Sequence, residues 1–124
     1  MQGAKLKMRA DECENEMGRE DLALPATVRM IVEALCADFD RRREAIRIGG
    51  VKRRTDTEFR YLNAKIINAC STAVGDELYE GFIYEIGARI GYAHSELDFL
   101  SESTYKKYKR RAMCAIAREL HLVD

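Results

Sequence analysis

"LPATVRMIVEALCADFDRRREAIRIGG", residues 24–50, sets the architecture. Pro25 stands at the first helical position, where its missing N–H would have no partner anyway. Val28, Val32, Leu35, Phe39 and Ile46 then recur at a 4-3-4-7 spacing, which keeps one apolar stripe on one helical face. The stripe skips a step at Arg42, inside "DRRREAIR". Gly49 and Gly50 suit a left-handed helix end. The spacing predicts one helix over 24–49, roughly 35 Å long at about 1.5 Å per residue. So long a helix in a chain of 124 residues needs a partner of similar length.

The partner follows after a short link. In "TDTE", Thr55 can cap the amide of Glu58 while Glu58 reaches back, the spacing of a capping box. Phe59, Leu62, Ile66, Ala69 and Ala73 form the next stripe, and Gly75 closes it. The two helices are expected to make a long antiparallel hairpin over residues 24–75. Asp76 can cap a third helix, with Tyr79, Phe82, Ile83, Ile86 and Ile90 on its apolar side. Gly81 and Gly87 inside it allow another helix to come close, and Gly91 is expected to end it. A short helical turn over residues 92–100 leads to Ser101, the cap candidate of a last helix with Tyr105, Tyr108, Ala112, Ile116 and Leu120 as its buried stripe. Residues 1–23 carry no such period and are read as a polar N-terminal arm. The expected organisation is therefore all-α: the arm, then one helical domain over 24–124, its hairpin followed by a helix-turn-helix-like unit over 76–124.

Composition agrees with one globular helical domain: 47% hydrophobic, 34% charged, one Pro and no Trp. No apolar run approaches the roughly 20 residues that span a bilayer, and the first residues lack a signal-peptide core, so the expected location is the cytoplasm. Cys13, Cys36, Cys70 and Cys114 are far apart, and His94 and His121 are not spaced as zinc ligands. Cys36, Cys70 and Cys114 read as small buried apolar residues in a reducing compartment, with no disulfide framework, metal or cofactor. There is no phosphate loop and no nucleophile elbow. The carboxylates Asp76, Glu77, Glu80 and Glu85 read as caps and solvation on the third helix, and His121 as a cation in the last turn of the last helix. An enzyme is not expected.

Net charge is zero but segregated. Residues 40–60 hold eight basic and four acidic groups, giving +4; residues 76–100 hold Arg89 against six carboxylates, giving −5; residues 101–124 hold six basic and three acidic groups, giving +3. A neutral protein can bind a polyanion through one basic face. Around the hairpin tip lie Arg41, Arg42, Arg43, Arg47, Lys52, Arg53 and Arg54. They are read as solvated side chains with pairs such as Asp38–Arg42, and a second phosphate contact is the alternative. In the last helix, Ser101, Ser103 and Thr104 sit at the N-terminal end, where amides and the helix dipole favour a phosphate. Lys106, Lys107, Lys109, Arg110 and Arg111 follow on the next turns. These eight residues are the candidate DNA-binding set, and Cys114 is placed on the same side of the helix. A helix-turn-helix register using "HSELDFL" as the reading helix is disfavoured, because Glu96 and Asp98 would repel phosphates.

"RIGYAHSELDFLSESTYKKYKRRAMCAIARELHL", residues 89–122, carries a Ser-Glu-x-Thr-Tyr start at Ser101, Glu102, Thr104 and Tyr105. Lys109 and Arg110 follow as spaced basic residues, then an Ile-Ala-x-x-Leu close at Ile116, Ala117 and Leu120. In these features, over about a quarter of the chain, it resembles the C-terminal part of the ArpU-like and RinA-like small transcriptional regulators of prophages and mobile elements in Gram-positive bacteria. It is also similar to the helix-turn-helix of sigma-factor region 4. The resemblance implies a regulator that binds double-stranded DNA and recruits or blocks RNA polymerase. Independently of the resemblance, the long apolar stripe of the first helix could extend into a homodimer, which would suit half-sites related by a two-fold axis. The competing class is a helical interaction or oligomerisation module without DNA affinity. Salt bridges from Lys106, Lys107, Arg110 and Arg111 to Glu77, Glu80 or Glu85 within one chain would favour that class.

Overall fold

The computed structural model describes residues 24–49 and 54–123, with the side chains of residues 54–56 outside it. The N-terminal arm, Cys13, Lys52, Arg53 and the Arg54 side chain lie outside the described residues. Among those described, the chain is all-α: α1 (Ala26–Ala37), α2 (Phe39–Gly49), α3 (Arg54–Val74), α4 (Tyr79–Ala88) and α5 (Glu102–Glu119), with a 3₁₀ turn at Tyr92–His94.

The single helix expected over 24–49 is two helices. Pro25 precedes α1 as its cap residue rather than opening it, and the chain kinks at Asp38 (φ −91°, ψ 0°). The hydrogen bonds Asp38 N–H to Ala34 O and Arg42 N–H to Asp38 O carry the chain through the kink. The apolar stripe crosses it unbroken, so its spacing gave no sign of it. The two halves then take different partners: α1 packs on α4, and α2 packs on α3. The expected hairpin is thus built from α2 and α3. They run antiparallel, since Asn63 meets Phe39 and Arg42 while Phe59 meets Arg41.

The step that the stripe skips is filled by Arg42 itself, which is 2% exposed. Its Nε donates to Asn63 Oδ1 at 2.7 Å, Nη2 to Leu35 O at 2.6 Å and Nη1 to Asp38 Oδ2 at 3.2 Å. Asn63 in turn donates to Phe39 O at 3.3 Å. The expected Asp38–Arg42 pair therefore forms, but with its arginine inside the protein. A buried guanidinium is tolerated only when its donors are used in this way.

The core joins Ile66, Ala69 and Cys70 of α3, Phe82, Ile83 and Ile86 of α4, and Tyr105, Ala112 and Ile116 of α5, as the stripes predict. The large ones among them, such as Ile66, Phe82 and Ile86, contribute about 1.5–3 kcal/mol each when fully buried. α5 lies chiefly along α3 and antiparallel to it, with Lys65 to Glu119 at 3.3 Å near one end and Arg111 to Ala73 O at 3.4 Å near the other. Cys36, Cys70 and Cys114 are buried thiols rather than disulfide halves. Burial pushes the Cys36 and Cys70 thiols up to about 12. No helix among the described residues is long and apolar enough to cross a membrane.

Gly75 ends α3 at φ +99°, as expected. α3 already includes Arg54, and the Thr55 cap expectation falls outside the described side chains. α4 starts at Tyr79 rather than beside Asp76, with no side-chain cap at Leu78. Gly75 O instead accepts from the amides of Leu78 and Tyr79. Asp76 and Glu77 thus stand in a turn, not on a helix with Glu80 and Glu85. The close approach expected at Gly87 is real: a Cβ there would lie 2.5 Å from Ala37 N.

α4 stops at Ala88, before Gly91, because Arg89 takes the left-handed conformation (φ 59°, ψ 41°). Ile90 N–H reaches Glu85 O at 3.0 Å and Arg89 N–H reaches Ile86 O at 3.2 Å, the two bonds of a Schellman ending. α5 ends in the same way. His121 (φ 60°) lies past the helix rather than in its last turn, and Leu122 N–H reaches Ala117 O at 2.8 Å. A helix-turn-helix over 76–124 is not confirmed. Residues 89–101, with the 3₁₀ turn and further tight turns, separate α4 from α5.

Candidate functional site

Residues 89–101 are organised around one buried carboxylate. Glu85, 2% exposed, accepts from Ser95 Oγ at 2.6 Å and Tyr105 Oη at 2.8 Å on Oε1, and from Glu96 N–H at 2.9 Å on Oε2. Ser95 Oγ also accepts from Leu97 N–H at 2.8 Å. Leu97 then packs over Gly81, the second close approach made by α4. Tyr92 O–H reaches Leu100 O at 2.8 Å and Asp98 O at 3.4 Å, fixing the segment that enters α5. Its ring, with those of Phe82, Tyr105 and Tyr108, forms one aromatic cluster under the first turns of α5.

This arrangement fixes where the eight candidate residues stand. Ser101 is the α5 cap, as expected: its Oγ accepts from Thr104 N–H at 3.2 Å and lies 2.9 Å from Thr104 Oγ1. Ser103, Lys106 and Lys107 are exposed, and Arg110, partly buried, follows one turn later on the same side. Lys106 pairs with Glu102 at 3.0 Å, both ends in solvent. Lys109 turns the other way. Its Nζ donates to Ile90 O at 2.6 Å and lies 5.7 Å from the Tyr105 ring centre. Burial pulls the Lys109 pKa down, and the charges of Glu85 and Glu33 oppose that pull. Arg111 also turns inward, over the Tyr108 ring and toward Ala73 O. The structure thus brings Ser103, Lys106, Lys107 and Arg110 to one outward face, and commits Lys109 and Arg111 to packing.

The helix changes character along its length. In its first half Tyr105 alone is buried, whereas Ala112, Met113, Cys114, Ile116 and Ala117 are all buried in its second half. Cys114 is inside, as its reading as a small buried residue expects, and not on the outward side where its place on the helix set it. The Arg-rich hairpin is largely self-paired: Arg41 with Asp38, Arg43 with Asp40 and Glu80, and Arg47 with Glu44.

Sequence reasoning missed Glu85 as an interior residue, and a weak signal for it exists. Glu85 falls three residues after Phe82 and one before Ile86, at the flank of a buried stripe. Lys109 is four residues after Tyr105 and Arg111 three after Tyr108, positions that share a face with those tyrosines. Comparison of the chain with family models, curated proteins and solved structures returns no match.

Proposed function

We propose that this protein is a DNA-binding regulator of the phage and mobile-element type, and that the outward face of the first half of α5 contacts duplex DNA. One observation carries the reading. Ser103, Lys106 and Lys107 stand exposed at the start of an 18-residue helix whose far half is enclosed by the rest of the fold. A helix held from beneath by Tyr105 and Lys109 and exposed on its other side can be laid into a groove without disturbing the core. Lys107 and Arg110 act on phosphates or base edges, and Ser103 and the first-turn amides serve as further phosphate donors. Lys109 and Arg111 support the helix from beneath. In this reading the regulator works in the cytoplasm, where its cysteines stay thiols, and recruits or blocks polymerase.

Glu96, Asp98 and Glu102 lie near the same helix start and set a repulsive limit on how deep that end enters. The DNA contact is therefore centred on Lys107 and Arg110, one turn in. The test is binding to a mixed pool of duplex DNA at two salt concentrations. Strong binding that weakens steeply with salt supports the assignment. Absence of binding at low salt rejects it in favour of a helical interaction module, the reading favoured by the uncharged exposed side of α1.

A further inference from the structure

α1 is apolar on both sides. Val28, Val32, Leu35 and Cys36 face the core, yet Thr27, Met30, Ile31, Ala34 and Ala37 line an opposite side that is exposed. Met30 is 63% and Ile31 43% exposed. At 100° per residue these five positions share one sector of the helix that contains neither Arg29 nor Glu33. Arg29 and Glu33 form a narrow charged strip between the two sides, and the exposed apolar sector beside it is short of a partner.

Beside the end of that sector lies a groove of about 530 Å³, walled by Ala37, Phe39, Ile83, Tyr84 and Ala88. It exists because the chain kinks at Asp38: α1 stays on α4 while α2 leaves with α3, and the gap between α2 and α4 is spanned by the Arg43–Glu80 pair at 3.0 Å. Tyr84 on its wall is 60% exposed. The rim holds Asp40, Glu80 and Glu96 against Arg43, so it is net negative.

We infer that this face binds a second copy of the same chain through a two-fold contact, with α1 antiparallel to α1 of the partner. The knob, Met30, and the edge of the hole, Ala37, stand seven residues apart on one helix, about 10 Å along its axis. A two-fold axis midway, beside Ala34, sets each knob into the other copy's groove. Such a self-complementary contact closes at two copies. Three features agree. Ala34 at the crossing is small and lets the helices approach. The facing sectors bring no like charges together. Arg29 is exposed next to Met30 and arrives at the acidic rim of the opposite groove. One helix face and one groove make a small interface by the standard of roughly 800 Å² per partner, so the test has to reach high protein concentration. The inference does not depend on DNA binding.

The experiment is sedimentation of the full chain from about 1 to 500 µM without nucleic acid, with the association strength of well-folded complexes as reference. The expected result is a monomer–dimer equilibrium that Ala34→Arg and Met30→Glu each weaken by at least about tenfold while helix content by circular dichroism is unchanged. In a Cys13→Ser background, Ala34→Cys treated with oxidised glutathione should yield a disulfide-linked dimer, because a residue beside a two-fold axis meets its own copy. Thr72→Cys, exposed elsewhere on α3, should not. A monomer at every concentration overturns the inference. A dimer that neither α1 substitution weakens, or that Ala34→Cys fails to cross-link, overturns it as well.

Discussion

Glu85 and Tyr105 meet through a 2.8 Å hydrogen bond between side chains almost entirely removed from water. The bond ties α4 to α5 and serves as the keystone for residues 89–101. The Tyr105 phenol is pushed up to about 12, first by burial and then by its bond to the Glu85 carboxylate. Tyr105→Phe should cost about 1–3 kcal/mol, the cost of depriving a buried charged acceptor of one donor. Tyr105→Ala should cost about 3–5 kcal/mol, because the ring goes too. Urea unfolding of both variants checks the order.

The same pair predicts an alkaline dependence. The fold favours the neutral phenol, so the stabilisation is complete below the ordinary tyrosine value of 10.0 and is lost as the pH rises toward about 12. Lys109, with its pKa lowered, acts in the opposite sense as it deprotonates. The diagnostic quantity is therefore the difference between wild type and Tyr105→Phe, which should shrink across that window. A difference independent of pH would mean that Tyr105 titrates as it does in the unfolded chain.

Arg42 and Asn63 are coupled inside the hairpin. Arg42→Ala should destabilise by about 3–5 kcal/mol, since it strands Asn63 and the Leu35 carbonyl in the interior. The double variant Arg42→Leu with Asn63→Leu should lose less than the sum of the single changes, because both halves of the polar contact leave together. Additive losses in thermal unfolding would show that the bond carries no coupling.

Two glycines of α4 should respond differently to Ala. Gly87→Ala drives a methyl into the α1 backbone at Ala37 and should cost about 1–3 kcal/mol or more. Gly81→Ala meets only the flexible end of Leu97, at 3.1 Å, and gains helix propensity, so its effect should stay within about 1 kcal/mol. At the α5 ending, His121→Gly should stabilise by roughly 0.5–1 kcal/mol by removing a left-handed non-glycine residue. Chemical denaturation ranks all three.

The last helix offers a contrast within a few residues. Lys107→Ala and Arg110→Ala should each weaken duplex DNA binding across sequences and lower the salt slope by about one. Lys109→Met should instead lower stability, because it withdraws the donor to Ile90 O. Loss of DNA affinity from Lys109→Met without loss of stability would place the contact on the wrong side of α5.

The helices themselves were readable, because Ile66, Phe82, Ile86, Tyr105 and Ile116 repeat at helical spacing and do enter the core. The kink was not: Val32, Leu35 and Phe39 keep the period through Asp38, and periodicity reports a face, not its partner. Arg42 and Glu85 were assigned to water because ionised groups usually stay there. Their neighbours Asn63, Ser95 and Tyr105, distant in sequence, make the interior acceptable to them. The candidate DNA face was half readable, since spacing found the basic helix but treated inward Lys109 and Arg111 like outward Lys107.

The kink at Asp38 also separates a contact that is near in sequence from one that is far. α2 and α3 are joined by a short link and close a small loop at little entropic cost. α1 docks on α4 across a loop of about fifty residues that contains the hairpin. Loop length therefore predicts that the hairpin forms early and α1 docks late, with Asp38 as the joint between them. Hydrogen exchange should find the amides of α1 opening before those of α2, although the two helices are a single residue apart.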